Sequence, residues 1–214
     1  MDLLSITLAT LVLLAAFWLL IARRVGAVVN GYAAQSIVLG GLAIALFAGS
    51  GQTDLLALGL LAILIKGLLI PAVIERQARP VYGLRELQYQ VGFPTALLLG
   101  AGLTLIAFVA AGRLPFQPGL LSEPVLGMAI AVTLLGLFTT VARRDAVVQL
   151  TGLLAAENGL ILVGLVISSG LGLLIELSLF LDVLIGVAVM SFLIARIHEA
   201  VASTDTSELR RLRG

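Results

Sequence analysis

LLSITLATLVLLAAFWLLIARR, residues 3–24, is the stretch that decides the fold. Its first 20 residues carry no charge, and a helix of that length, at ~1.5 Å rise per residue, matches a ~30 Å hydrocarbon core. A secretory leader has a basic start, a shorter apolar run and a small-residue cleavage site. Here Asp2 precedes the run and Arg23 and Arg24 follow it, so the segment reads as a retained membrane-spanning helix.

Outward from this stretch the pattern recurs. Apolar runs at 3–22, 27–49, 55–74, 91–112, 124–142, 146–168 and 171–195 are separated by short polar breaks. The expected fold is therefore an all-α membrane protein of about seven transmembrane helices. Composition agrees: 60% of the 214 residues are hydrophobic and 12% charged, against roughly 25% charged in a soluble domain. The longest internal connection, 75–90, holds Glu75, Arg76, Arg79, Arg85 and Glu86 and reads as a solvated or headgroup loop.

The basic residues test the count separately, because cytoplasmic loops carry the excess Lys and Arg. Arg23 and Arg24 follow the first run, Arg76, Arg79 and Arg85 the third, Arg143 and Arg144 the fifth, and Arg196, Arg210, Arg211 and Arg213 the seventh. Eleven of the thirteen basic residues thus fall on one face, with Arg113 on the other and Lys66 inside a span. This predicts an amino terminus outside and a carboxyl terminus in the cytoplasm.

Ala22-Arg23-Arg24, Ala27-Val-Val and Ala33-Ala-Gln35-Ser36 read like Ala142-Arg143-Arg144, Ala146-Val-Val and Ala155-Ala-Glu157-Asn158. Two parallel three-helix repeats flanking the fourth span would explain this, and so would the compositional likeness of membrane sequences. The expected division is 1–90, a three-helix unit and its cytoplasmic loop; 91–123, the connecting fourth helix and loop; 124–198, a second three-helix unit; and 199–214, a cytoplasmic tail.

The chain has no cysteine, which excludes disulfides and iron–sulfur clusters bound by this chain alone. Its one histidine, His198, excludes a haem held by two of its own histidines. No basic patch with interleaved aromatics points to nucleic acid.

An ionisable residue at mid-span costs about 2.5 to 3.5 kcal/mol on insertion scales, so each needs a reason. Four qualify: Lys66, Glu157, Glu176 and Asp182. Counted from the helix starts, Lys66, Glu157 and Asp182 lie ~16 Å deep, and Glu176 lies ~9 Å above Asp182. Two readings compete. The groups form a proton relay through the membrane, or Lys66 and a carboxylate form a structural ion pair. Pro71 lacks the N–H that would bond the carbonyl of Gly67 and should kink the third span just beyond Lys66. Gln35, Ser36, Thr151 and Asn158 are candidates to bond across helices or hold water.

Asp182-Val-Leu-Ile-Gly-Val-Ala resembles the acidic-x-x-Ile-Gly-x-Ala signature of the complex I K subunit, with Asp for the usual Glu. Ala142-Arg-Arg-Asp145, Gly152 and Glu157 are similar to that subunit's first loop and second helix, Glu157 lying a few positions later after its glycine. The K-like part covers roughly 124–198. A chain of about seven helices with such a carboxyl half resembles the hydrogenase-4 component E family, membrane proteins of complex I-like formate hydrogenlyases. The resemblance implies a subunit of a redox-driven proton-translocating oxidoreductase complex in the inner membrane of a prokaryote. It implies no catalytic chemistry or cofactor in this chain, partner membrane subunits, and a peripheral redox arm carrying nickel–iron and iron–sulfur centres. Glu157, Asp182, Glu176 and Lys66 would be relay members, with Gln35 and Asn158 in support. A C-type subunit of a multisubunit cation/proton antiporter and a purely structural scaffold are the alternatives.

Overall fold

The computed structural model describes residues 2–82, 87, 91–114 and 121–167. Its helices are α1 (Asp2–Ile21), α2 (Val25–Ser50), α3 (Thr53–Leu61), a π-helical segment (Ala62–Leu69), α4 (Ile70–Tyr82), α5 (Phe93–Ala111), α6 (Glu123–Ala142) and α7 (Ala146–Ile167). The helix α3, the π segment and α4 run on without a break as one rod. Among the described residues six helices are long and apolar enough to cross a membrane, matching the first six expected runs. The expected run at 171–195, with Glu176 and Asp182, lies outside the described residues, as do His198 and the tail.

Short connections at 22–24, 51–52 and 143–145 force successive helices to reverse direction. At the second of these, Gly51 takes φ 73° and donates its N–H to the carbonyl of Phe47, a left-handed helix stop that L side chains resist. The helices α1, α2, α7 and α6 close into a ring, α5 packs on α6 and α1, and the α3–α4 rod packs on α2. Large apolar side chains such as Leu98, Leu105, Ile106 and Val141 are left on the outside, as expected where lipid is the solvent.

Glycine sets the spacing in two places. A Cβ on Gly136 would strike the backbone N of Ala156, and one on Gly159 the backbone N of Thr133, so α6 and α7 touch backbone to backbone. Between α2 and α3, a Cβ on Gly40 would stand 2.7 Å from the carbonyl O of Gly59. Such contacts are how helices associate where lipid removes the hydrophobic drive.

Two details depart from the sequence expectation. The third span closes near the expected Ile74, at Arg76, but its helix does not; α4 runs on to Tyr82, turning part of the expected 75–90 loop into helix. Ile74 and Ala78, one turn apart, bury against Val25, Val28, Val29 and Tyr32 of α2, giving this charged stretch an apolar stripe to pack with. Ahead of Pro71 the chain widens into the π segment, where Ile70 donates to the carbonyl of Ile65. The wider turn is how this helix absorbs a ring that would otherwise press on the carbonyl of Gly67.

Gly159→Ala should destabilise the chain by about 1 to 3 kcal/mol through overpacking, whereas Gly41→Ala, with nothing within 4 Å of the added carbon, should leave it unchanged or slightly firmer. Unfolding of the purified protein in detergent checks the pair; equal behaviour would contradict the backbone contact.

Candidate functional site

The helices α2, α7 and the α3–α4 rod each carry two apolar blocks. On α2 the blocks are Val25 to Tyr32 and Leu39 to Leu46; on α7, Val148 to Ala155 and Ile161 to Val166; on the rod, Ile74 to Ala78 and Leu55 to Leu58. Polar side chains occupy the boundary on all three: Gln35 and Ser36, Glu157 and Asn158, and Lys66. All five residues are buried.

Lys66 Nζ lies 2.9 Å from Glu157 Oε1, with side chains only 3% and 5% exposed. Beside this pair, Asn158 Nδ2 donates to Gln35 Oε1 at 3.1 Å and to Ser36 Oγ at 2.9 Å. Gln35 Nε2 in turn donates to the carbonyl O of Val12 on α1 at 3.3 Å. The residues that the sequence pairs as repeat equivalents, Gln35-Ser36 and Glu157-Asn158, therefore meet each other across the α2–α7 contact.

Local sequence explains the placement. Gly152, Gly159 and, on the opposing helix, Gly136 draw α7 against α6 and so fix the height and rotation of Glu157-Asn158 between them. Gly67, whose added Cβ would stand 2.7 Å from Ile37 Cγ1, lets the π segment lie close on α2 directly beside Lys66. A separation of 2.9 Å is that of a close ion pair. A lone charge here would cost several kcal/mol, and pairing removes most of that cost.

Of the residues singled out from sequence, Lys66, Glu157, Gln35, Ser36 and Asn158 come together. Thr151 bonds within its own helix, to the carbonyl of Val147 at 2.7 Å, rather than across helices. Glu176 and Asp182 lie outside the described residues. Two residues were not foreseen. Tyr32, fully buried on α2 one turn from Ser36, was hidden by its apolar ring, its hydroxyl being the signal. Arg143, counted as a surface charge, is 0% exposed. Its Nη2 donates to the carbonyls of Leu20 and Ala22 at 2.7 and 2.8 Å, satisfying acceptors that a helix end leaves open. The counterpart Arg23 is exposed and lies 5.8 Å over the ring of Phe93. Among the described residues no group of three or more His, Cys, Asp or Glu is placed to hold a metal.

No family profile matches the chain, and no solved structure matches it. It is 32% identical over 195 residues to an uncharacterised protein of Mycobacterium tuberculosis, covering 89% of this chain and 87% of that one. It is 30% identical over 185 residues to hydrogenase-4 component E of Escherichia coli K12, covering 86% and 85%. The Shigella flexneri protein of the same name matches to the same extent.

Asn158→Leu removes the donor to Gln35 and Ser36 at nearly constant volume. Detergent unfolding should register a loss of about 1 to 2 kcal/mol, the sum expected of two interhelical hydrogen bonds in a membrane protein. Ser36→Ala should cost less than half of that, and an Asn158→Leu variant as stable as the parent would contradict the network.

Proposed function

The chain belongs to the hydrogenase-4 component E family, and on that premise we propose that it is a membrane subunit of a hydrogenase-type complex in which the Lys66–Glu157 pair exchanges protons. The observation that carries this reading is a lysine and a carboxylate 2.9 Å apart, both buried, at mid-depth on separate spans. Asn158, Gln35 and Ser36 hold the second face of this layer, so the pair can change protonation without the helices separating.

In the full account the chain has seven spans, an amino terminus outside and a carboxyl terminus in the cytoplasm. It comprises units at 1–90, 91–123, 124–198 and 199–214, the third resembling the complex I K subunit. The meeting of Gln35-Ser36 with Glu157-Asn158 supports a parallel repeat. Asp182 and Glu176 continue the relay from the seventh span. Nickel–iron and iron–sulfur centres belong to partner subunits of a peripheral arm, consistent with a chain that has no cysteine. The named relatives are bacterial, which supports a prokaryotic inner membrane.

A second reading has an observation of its own: a closed, buried ion pair also serves as a structural tie in a scaffold. Glu157→Gln and Asp182→Asn separate the two. As relay sites, each variant assembles with its partners while proton translocation by sealed vesicles falls several-fold. As a tie, Glu157→Gln strands the Lys66 charge and lowers complex yield, since breaking a buried pair costs about 3 to 5 kcal/mol. Undiminished pumping by the double variant at normal subunit stoichiometry would overturn the proposal. A reporter fused after Gly214 should lie in the cytoplasm and one near Gln52 outside; both on one side would contradict the seven-span topology.

A further inference from the structure

Buried polar side chains are not distributed evenly about the Lys66–Glu157 layer. Toward the end of the bundle that carries Arg23, Arg24, Arg143 and Arg144 lie Tyr32 on α2, Thr151 on α7, Thr139 on α6 and the Arg143 guanidinium, each at most 1% exposed. Toward the opposite end the three helices that build the layer bury only apolar side chains: Leu39, Leu42 and Leu46; Leu55 and Leu58; Ile161, Leu162 and Leu165. The buried polar groups on that side among the described residues are Ser5 on α1 and the Ser122 hydroxyl ahead of α6, both near the far surface.

The helices α2 and α7 begin at the arginine-bearing end and run in the same direction. Tyr32 is four residues before Ser36, and Thr151 seven before Asn158, spacings that return to nearly the same helix face. At 1.5 Å per residue the two hydroxyls sit ~6 Å and ~10 Å below the layer, on the seam where Tyr32 packs in one cluster with Val148, Leu154 and Ala155 of α7. Thr151 Oγ1 donates to the carbonyl of Val147 on its own helix and keeps lone pairs that can accept. A hydroxyl both accepts and donates, so two of them can pass a proton by accepting one and releasing another. A slab of leucine and isoleucine has neither property.

We propose that, of the described spans, α2 and α7 bring protons to the Lys66–Glu157 pair from the arginine-bearing end, along their seam past Thr151 and Tyr32, while the leucine block on the other side of these spans acts as an insulator. Within the described residues the path is a half-channel, and a proton leaving the pair moves sideways to another span or subunit. This rests on the pair being in exchange, as argued under the proposed function, but its test reads access and not pumping.

The test uses a carbodiimide, which takes a proton from a protonated carboxyl, adds the carboxylate oxygen to its central carbon and rearranges to a stable N-acylurea. Its yield at Glu157, read by mass spectrometry, reports protonation of that group. In sealed membrane vesicles containing the complex, pH is lowered by about two units on one side at a time. Acid on the arginine-bearing side should raise labelling at Glu157 at least threefold, and in a Glu176→Gln, Asp182→Asn background acid on the opposite side should leave it unchanged. Tyr32→Phe with Thr151→Val, which keeps shape and removes both hydroxyls, should at least halve the initial rate of the rise. A response to the opposite side in that background, no response to acid on the arginine-bearing side, or an unaltered rate in the Tyr32→Phe, Thr151→Val variant would each overturn the proposal. Glu157→Gln that pumps normally, together with one-sided labelling, would instead fail the functional reading and leave the access path standing.

Discussion

Lys66 and Glu157 touch at 2.9 Å in a place that water does not reach, and much of the packing is arranged around keeping them together. A lipid core offers a charge no other relief, so the lysine of the third span and the glutamate of the sixth hold each other in position. Between them stands α2, and its Gln35 and Ser36 meet Asn158, the residue beside Glu157. The layer thereby ties four helices, α1 entering through the carbonyl of Val12.

The glycines and the proline read differently once the layer is in view. Gly136, Gly152 and Gly159 bring α6 and α7 to backbone contact, and Gly40 and Gly59 do the same for α2 and α3. A charge pair needs its partners held to a fraction of an ångström, and close backbone contact supplies that rigidity where hydrophobic collapse cannot. The π segment that contains Lys66 lies immediately before Pro71, so the irregularity a proline forces on a helix falls at the residue with most to gain from a displaced side chain. Arg143 closes the other end, tying the α6–α7 turn to the last carbonyls of α1.

The spans were legible because a ~30 Å core admits only long uncharged runs, and the heights of Lys66 and Glu157 followed from counting residues from helix starts. Rotation about the helix axis was not legible. Height alone left Glu157 and Asp182 as equal partners for Lys66; which one it meets depends on helix packing that Gly136, Gly152 and Gly159 determine through contacts 12 to 26 residues apart. The extension of α4 to Tyr82 was masked by its charges, since a stripe of only Ile74 and Ala78 suffices to pack it. Arg143 was read as a marker of the aqueous face because charge alone does not say that helix-end carbonyls are within its reach. Tyr32 was passed over as one more apolar ring. The resemblance to the hydrogenase-4 component, drawn from short motifs at 142–157 and 182–188, extends over most of the chain.

A charge swap tests the central claim most directly. Lys66→Glu alone and Glu157→Lys alone place like charges in contact within the membrane, and each should abolish assembly of the complex, as judged by subunit yield after native purification. The combined variant restores opposite charges across the same gap and should recover at least half of the parental yield. A combined variant as poor as either single one would contradict the account, because Lys66 and Glu157 would then not be partners.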